Sequence, residues 1–166
     1  MKYSIVIYLF LLTCMVTAIG QDKSKIPGVF LKNIDGKMVS STEAIQKGEP
    51  LIICFWASWC HPCIKELSAI AEVYQAWQDE TGVILYAISI DDSRSFNNAR
   101  VMINNNSWNF EFYFDPNSDF KRAMGVVNIP HTFVLNDKGE VTYQHSSYTE
   151  GSELEIISKI REMKNK

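Results

Sequence analysis

Cysteine is scarce in this chain. There are four in 166 residues, and Cys14 lies in an apolar leader, which leaves Cys54, Cys60 and Cys63 for the remainder. Small exported scaffolds that lean on disulfides for stability carry more, so stapling is not what these cysteines are for. A second Cys-x-x-Cys pair is missing, and the histidines are only His61, His131 and His145. Structural zinc usually takes four ligands from two such pairs, so a zinc module is disfavoured. The net charge is −3, with no basic run, low-complexity segment or internal repeat. Nucleic acid and anionic membrane surfaces therefore find no electrostatic footprint. A long apolar span is also absent: the uncharged run over residues 3–19 is 17 residues, at the short end for crossing a bilayer.

That run has a meaning of its own. Lys2 is the only charge in the first twenty residues, an apolar stretch follows, and Ala18-Ile19-Gly20 supplies small residues before a cut. The pattern is that of a secretory signal peptide over 1–20, cleaved after Gly20. Two other uses of the segment are an uncleaved membrane anchor and a lipid-bearing Cys14, which Thr13 before it fits poorly. Residues 21–166 then suit one domain with a sizeable core. Export also means a compartment in which disulfides persist.

The elements follow from patterning. Residues 30–39 read as two short strands about the turn Asp35-Gly36. Ser40-Ser41-Thr42-Glu43 reads as the cap of a short helix near Ala44-Ile45. The continuous apolar run Leu51–Ala57 predicts a strand buried on both faces, as in a parallel sheet. From Cys60, apolar residues at Ile64, Leu67, Ile70, Ala71, Tyr74 and Trp77 mark one helical stripe, closed at Thr81-Gly82. A strand over 83–90, a helix over 95–103 and a strand over 110–114 come next. A short helix over 118–124 precedes a hairpin of 131–135 with 141–145, and a helix over 153–163 closes the chain. This order predicts an α/β sandwich with a mixed sheet.

The chemistry concentrates in Trp59-Cys60-His61-Pro62-Cys63. A Cys-x-x-Cys pair at a strand-to-helix junction puts both sulfurs on the first helical turn. Such thiols can close a disulfide. The unpaired N–H groups and macrodipole of the helix start favour a thiolate, so the Cys60 pKa is expected below its free value of roughly 8.5. Cys60 is thus the expected attacking thiolate. Cys63, one turn further in and better shielded, is expected to resolve the mixed disulfide. Pro62 fits the first turn, where no N–H acceptor is lost, and stiffens the dipeptide. His61 either adds positive charge near Cys60 or is simply solvated. Glu66 on any helix is most often a solvated charge; partly buried, it would sit one turn from Cys63 and could take its proton. Trp56 reads as packing, and Trp59 as shield and docking surface for the disulfide. His131 reads as a tuner or a structural histidine, and His145 as solvated. Cys54 reads as a small buried hydrophobe, with a third redox thiol as the alternative.

The segment Phe55-Trp56-Ala57-Ser58-Trp59-Cys60-His61-Pro62-Cys63 resembles the active-site stretch of the thioredoxin superfamily. Ile129-Pro130-His131-Thr132-Phe133 resembles its cis-proline segment, and Glu66, three residues after Cys63, is similar to the Cys-x-x-Cys-x-x-Glu pattern of TlpA/ResA-like envelope thioredoxins. The likeness runs from about Ile26 to Met163. It implies a three-layer α/β/α sandwich with a mixed central sheet, an extra N-terminal β-hairpin over 30–39 and a central helix–strand insertion over 93–114. It implies a cis Pro130 beside the cysteines, backbone hydrogen bonds from Ile129 to a substrate strand, and a functional Glu66. One departure stands out: thioredoxins carry a buried aspartate where this chain has Cys54, so Glu66 would have to do that acid–base work. The implied protein is an exported thiol–disulfide oxidoreductase of the periplasm or cell envelope, a monomer that reduces disulfides of protein substrates. It needs no cofactor beyond the Cys60–Cys63 disulfide, and a membrane-bound electron donor would restore it. Cytochrome c biogenesis, a pool of misoxidised proteins and a dedicated client all remain open as its service. Two other functions compete. A peroxiredoxin needs Pro-x-x-x-Thr-x-x-Cys, and Pro50 is followed by Ile53 and Cys54 where the threonine belongs. A copper- or metal-binding relative usually spaces its cysteines one residue wider.

Overall fold

A computed structural model describes residues 26–45 and 48–165; the signal-peptide reading of 1–20 lies outside the described residues. The strands are β1 (Phe30–Lys32), β2 (Met38–Ser40), β3 (Leu51–Trp56), β4 (Ile84–Ser89), β5 (Glu111–Phe114), β6 (His131–Leu135) and β7 (Val141–Ser146). The helices are α1 (Ser41–Ala44), α2 (His61–Thr81), α3 (Phe96–Asn105), α4 (Asp119–Ala123) and α5 (Ser152–Lys164). One mixed seven-stranded sheet runs in the order β2-β1-β5-β4-β3-β6-β7. β3, β4 and β5 are parallel, while β6 pairs antiparallel to β3, β7 to β6, and β1 to β5.

The apolar run of β3 has its expected consequence: all six residues are buried. Alternation sends Leu51, Ile53 and Phe55 to one face, against Leu31, Phe120 and Val126. Ile52, Cys54 and Trp56 go to the other, against Leu67, Ile70 and Trp77 of α2 and Ile156 and Ile160 of α5. Helices thus cover both faces, giving three layers, with α2, α3 and α5 on the side that Cys54 faces. Phe55 packs against Phe120 of α4 with tilted rings, 5.4 Å between centroids.

The punctuation residues act as their chemistry dictates. Asn33 Oδ1 accepts from the N–H groups of Asp35 and Lys37 across the first turn, and Asn136 Oδ1 from those of Lys138 and Glu140 across the β6–β7 turn. Gly82 ends α2 at φ 73°, a left-handed conformation in which an added β-carbon would also meet Glu49 Oε2 at 2.7 Å.

Most boundaries shift by a residue at one or both ends, and two differences have a clear physical reason. Ser41-Thr42-Glu43 form α1 itself rather than its cap, and Ser40 makes no side-chain cap bond. The reason is tertiary: Ser41 Oγ donates to Pro27 O at 2.6 Å and accepts from Val29 N–H at 3.0 Å, tying down the segment before β1. α3 continues past Ile103 to Asn105, because Asn106 turns both its backbone N–H and its Nδ2 back onto Met102 O.

Candidate active site

β3 delivers the chain to the site. After Trp56 the backbone turns sharply, Cys60 N–H donating to Ala57 O at 3.0 Å, and α2 begins with Cys60 as its cap residue. Cys63 N–H points at Cys60 Sγ, 3.3 Å away, so a helix-start donor faces the sulfur. Cys60 and Cys63 form a disulfide with their Cα atoms 5.3 Å apart. Cys60 retains 6% exposure and Cys63 none. His61 and Pro62 are exposed between them, and Trp59 is 64% exposed beside them. Trp56 is fully buried, edge-on to Trp108 at 5.5 Å.

Sequence reasoning overlooked what holds this loop. Asp91, just beyond β4, is fully buried; its carboxylate accepts from Ser58 N–H at 2.8 Å, Ser58 Oγ at 2.6 Å and Ser89 Oγ at 2.8 Å. Ser58 stands two residues before Cys60, so Asp91 fixes the approach to the sulfur. Asp91-Asp92 marked only the end of a strand in the sequence; an acidic residue directly after an apolar run was the available signal.

Glu66 is not a surface charge. It has no exposed area and lies on the same helix face as Cys63, one turn along. Beneath it Cys54, Thr132 and His145 form a row across the sheet, Cys54 paired with Thr132 and Thr132 with His145. Cys54 S–H donates to Glu66 Oε2 at 3.6 Å, and Thr132 Oγ1 to Oε1 at 3.3 Å. His145 Nε2 sits 2.7 Å from Oε1. Burial, then the neighbouring Glu66 charge, pushes the Cys54 thiol well above its ordinary value, so it stays protonated as a donor. The reading of Cys54 as a plain hydrophobe misses this bond. The reading of His145 as solvated is wrong: its side chain is only 14% exposed and is committed to Glu66. The alternation of Val141, Tyr143 and His145 along β7 was the signal, since it turns all three to the covered face.

The Ile129–Pro130 bond is cis. His131 pairs with Phe55, so this bond lies at the same end of the sheet as the loop carrying the cysteines. Pro130 O accepts from Ser147 N–H at 3.0 Å, and Ile129 is half-buried between both cores. His131 stacks on Phe133 at 4.5 Å and its Nε2 contacts Gln144 Oε1 at 3.3 Å; burial lowers its pKa. Among the described residues, no group of three or more histidine, cysteine and acidic side chains is placed to hold a metal ion, and no helix is long and apolar enough to cross a membrane.

Residues 23–144 match the family model described as AhpC/TSA. The chain belongs to the AhpC/TSA family. Among relatives, this AhpC/TSA protein is 30% identical over 117 residues to sporulation thiol-disulfide oxidoreductase A of Bacillus subtilis, covering 70% of this chain and 69% of that one. It is 28% identical over 118 residues to the thiol-disulfide oxidoreductase ResA of the same organism, covering 71% and 63%. The solution structure of a thioredoxin-like protein from Porphyromonas gingivalis superposes with a TM-score of 0.75 at 46% identity, over 84% of this chain and 92% of that one. The crystal structure of StoA from Bacillus subtilis, with a TM-score of 0.60 at 24% identity over 81% and 98%, speaks to the fold alone. The fold is thioredoxin-like. With a Cys60–Cys63 disulfide at the start of α2, this family member is a thiol–disulfide oxidoreductase.

Proposed function

We propose that the protein is an exported reductant of protein disulfides, working as a monomer in the periplasm or cell envelope. The observation that carries this is the Cys60–Cys63 disulfide capping α2, with only Cys60 reaching the surface. In the dithiol form the Cys60 thiolate attacks one sulfur of a client disulfide; the client's S–S bond breaks and its other sulfur leaves as a thiolate. Cys63 then gives up its proton to Glu66 and attacks Cys60 Sγ. The Cys60–client bond breaks, the client is reduced by two electrons, and the Cys60–Cys63 bond re-forms. A membrane-bound electron donor restores the dithiol. Ile129 beside Pro130 offers backbone to an extended client segment, and exposed Trp59 offers it an apolar face. His61 and Pro62 tune the pair from outside. The apolar leader behind Lys2 supports export. Cytochrome c biogenesis, a pool of misoxidised proteins and a dedicated client would each use this chemistry.

The test is the reduction potential of the pair, measured by thiol trapping across a graded redox buffer, with Cys60→Ser as the activity control. A potential near that of thioredoxin, about −270 mV, supports a reductant, whereas one near −120 mV makes the protein a disulfide donor. Full disulfide-reductase activity in Cys60→Ser would refute the site.

A further inference from the structure

Glu66 has a difficulty that its burial creates. Each cycle of the disulfide takes up and releases protons, yet Glu66 and Cys63 have no exposed area. Of the three described side chains that hydrogen-bond Glu66, Cys54 and Thr132 are sealed as well. His145 alone reaches solvent, at 14% exposure, and it makes the shortest of the three contacts, 2.7 Å. Its second ring nitrogen, Nδ1, is buried with no hydrogen-bond partner. A histidine with one nitrogen on the acid and the other uncommitted can take a proton at one side and lose it from the other.

We propose that His145 is the proton port of the site, a positioning residue that acts through Glu66 by carrying its proton to and from solvent in each redox cycle. This rests on the proposed role of Glu66 toward Cys63. When Cys63 attacks the mixed disulfide, its thiol proton passes to Glu66 Oε1 and on to His145 Nε2, and a proton leaves the ring when the partly exposed side chain swings its buried Nδ1–H out to water. The electron pair of Cys63 forms the new S–S bond, and the departing client thiolate takes a proton from solvent. Re-reduction runs the path backwards. The other titratable groups around the pair are Cys54 on β3, Cys63 on α2, His131 on β6, Tyr143 on β7, Tyr148 beyond it, and Glu155 on α5, which bonds the Tyr143 phenol. His131 Nε2 is committed to Gln144 rather than to Glu66, so it does not substitute for His145; burial lowers its pKa.

The experiment follows the release of a thiol from the mixed disulfide between the reduced protein and a disulfide peptide, in single turnover from pH 5 to 9. Two variants are compared, His145→Ala and His145→Gln; glutamine keeps an N–H donor for Glu66 but cannot relay a proton. The expected result is a loss of tenfold or more in both variants, of the size that proton-transfer catalysis contributes. Added imidazole should restore His145→Ala. Wild-type rates in the folded His145→Gln variant, or a slow His145→Ala that imidazole leaves unchanged, overturn the port. Glu66→Gln separates the two levels. A slow Glu66→Gln with normal His145 variants refutes the port alone, whereas a normal Glu66→Gln refutes the role of Glu66 on which it rests.

Discussion

Replacing Asp91 by alanine should loosen the approach to Cys60 more than any surface change nearby. The carboxylate is fully buried and accepts three hydrogen bonds of 2.6–2.8 Å from Ser58 N–H, Ser58 Oγ and Ser89 Oγ. Hydrogen bonds to a charged group contribute roughly 1.5–3 kcal/mol each. Against their sum stands the cost of holding the carboxylate out of water, several kcal/mol. The variant escapes that cost but leaves three neutral donors unpaired, at roughly 1–3 kcal/mol each; the two hydroxyls can turn to other acceptors, so the net destabilisation falls in the lower part of the sum, about 3–5 kcal/mol. At about 4 °C per kcal/mol for a domain of this size, Tm should fall by about 12–20 °C. Thermal and urea unfolding of the oxidised protein measure the loss. A double-mutant cycle with Ser58→Ala isolates the Ser58 Oγ bond, whose coupling should be about 1.5–3 kcal/mol. A loss below about 1 kcal/mol, or additivity within about 0.5 kcal/mol, would refute the view that Asp91 fixes the loop.

Two further substitutions probe the rest of the frame. Phe120→Ala empties a fully buried site against Phe55 and should cost about 3–5 kcal/mol in urea unfolding. Phe120 lies on the sheet face opposite Cys63, so the reduction potential should not move; a shifted potential would argue that the two cores are coupled. Cys54 gives a pH dependence. Burial raises its folded pKa above the ordinary 9.0, so the folded state keeps that proton longer than the unfolded chain does. Its stabilisation is complete below about pH 9 and is lost as pH rises beyond, at up to about 1.4 kcal/mol per pH unit. Tyr143, pushed up to about 12 chiefly by burial, loses stability in the same direction in both proteins. Oxidised Cys54→Ala should therefore lose less stability than wild type between pH 8 and 10, and equal losses would refute the shift.

What the sequence revealed and what it hid divide along one physical line. β3 and α2 were legible because their signals are local: an unbroken apolar run and a 3.6-residue stripe starting at a cysteine pair. The hairpins were legible from the turn residues Asp35-Gly36 and Asn136 to Gly139, in loops that the side chains of Asn33 and Asn136 close. Apart from the end of α3, the misreadings involve partners far along the chain. His145 meets Glu66 across 79 residues, Asp91 meets Ser58 across 33, and Ser41 meets Pro27 across 14. In each, a polar side chain that suits a loop or surface in isolation is buried because a distant element supplies its partner. Glu66 shows the same limit from the other side. Its spacing from Cys63 was plain, but its burial depends on the row that three strands set beneath it.

The N-terminal hairpin has a mechanical consequence. β1 meets the sheet through one register pair with β5, Lys32 with Phe114, whereas β3 is held by six pairs to β4 and five to β6. A load entering through residue 26 reaches that single rung before it reaches any strand bearing the cysteines. Once the buried Leu31 and the Ser41–Pro27 bond are loosened, that rung is all that ties the hairpin to the sheet, so its loss should leave the disulfide, Glu66 and the cis-proline turn in register.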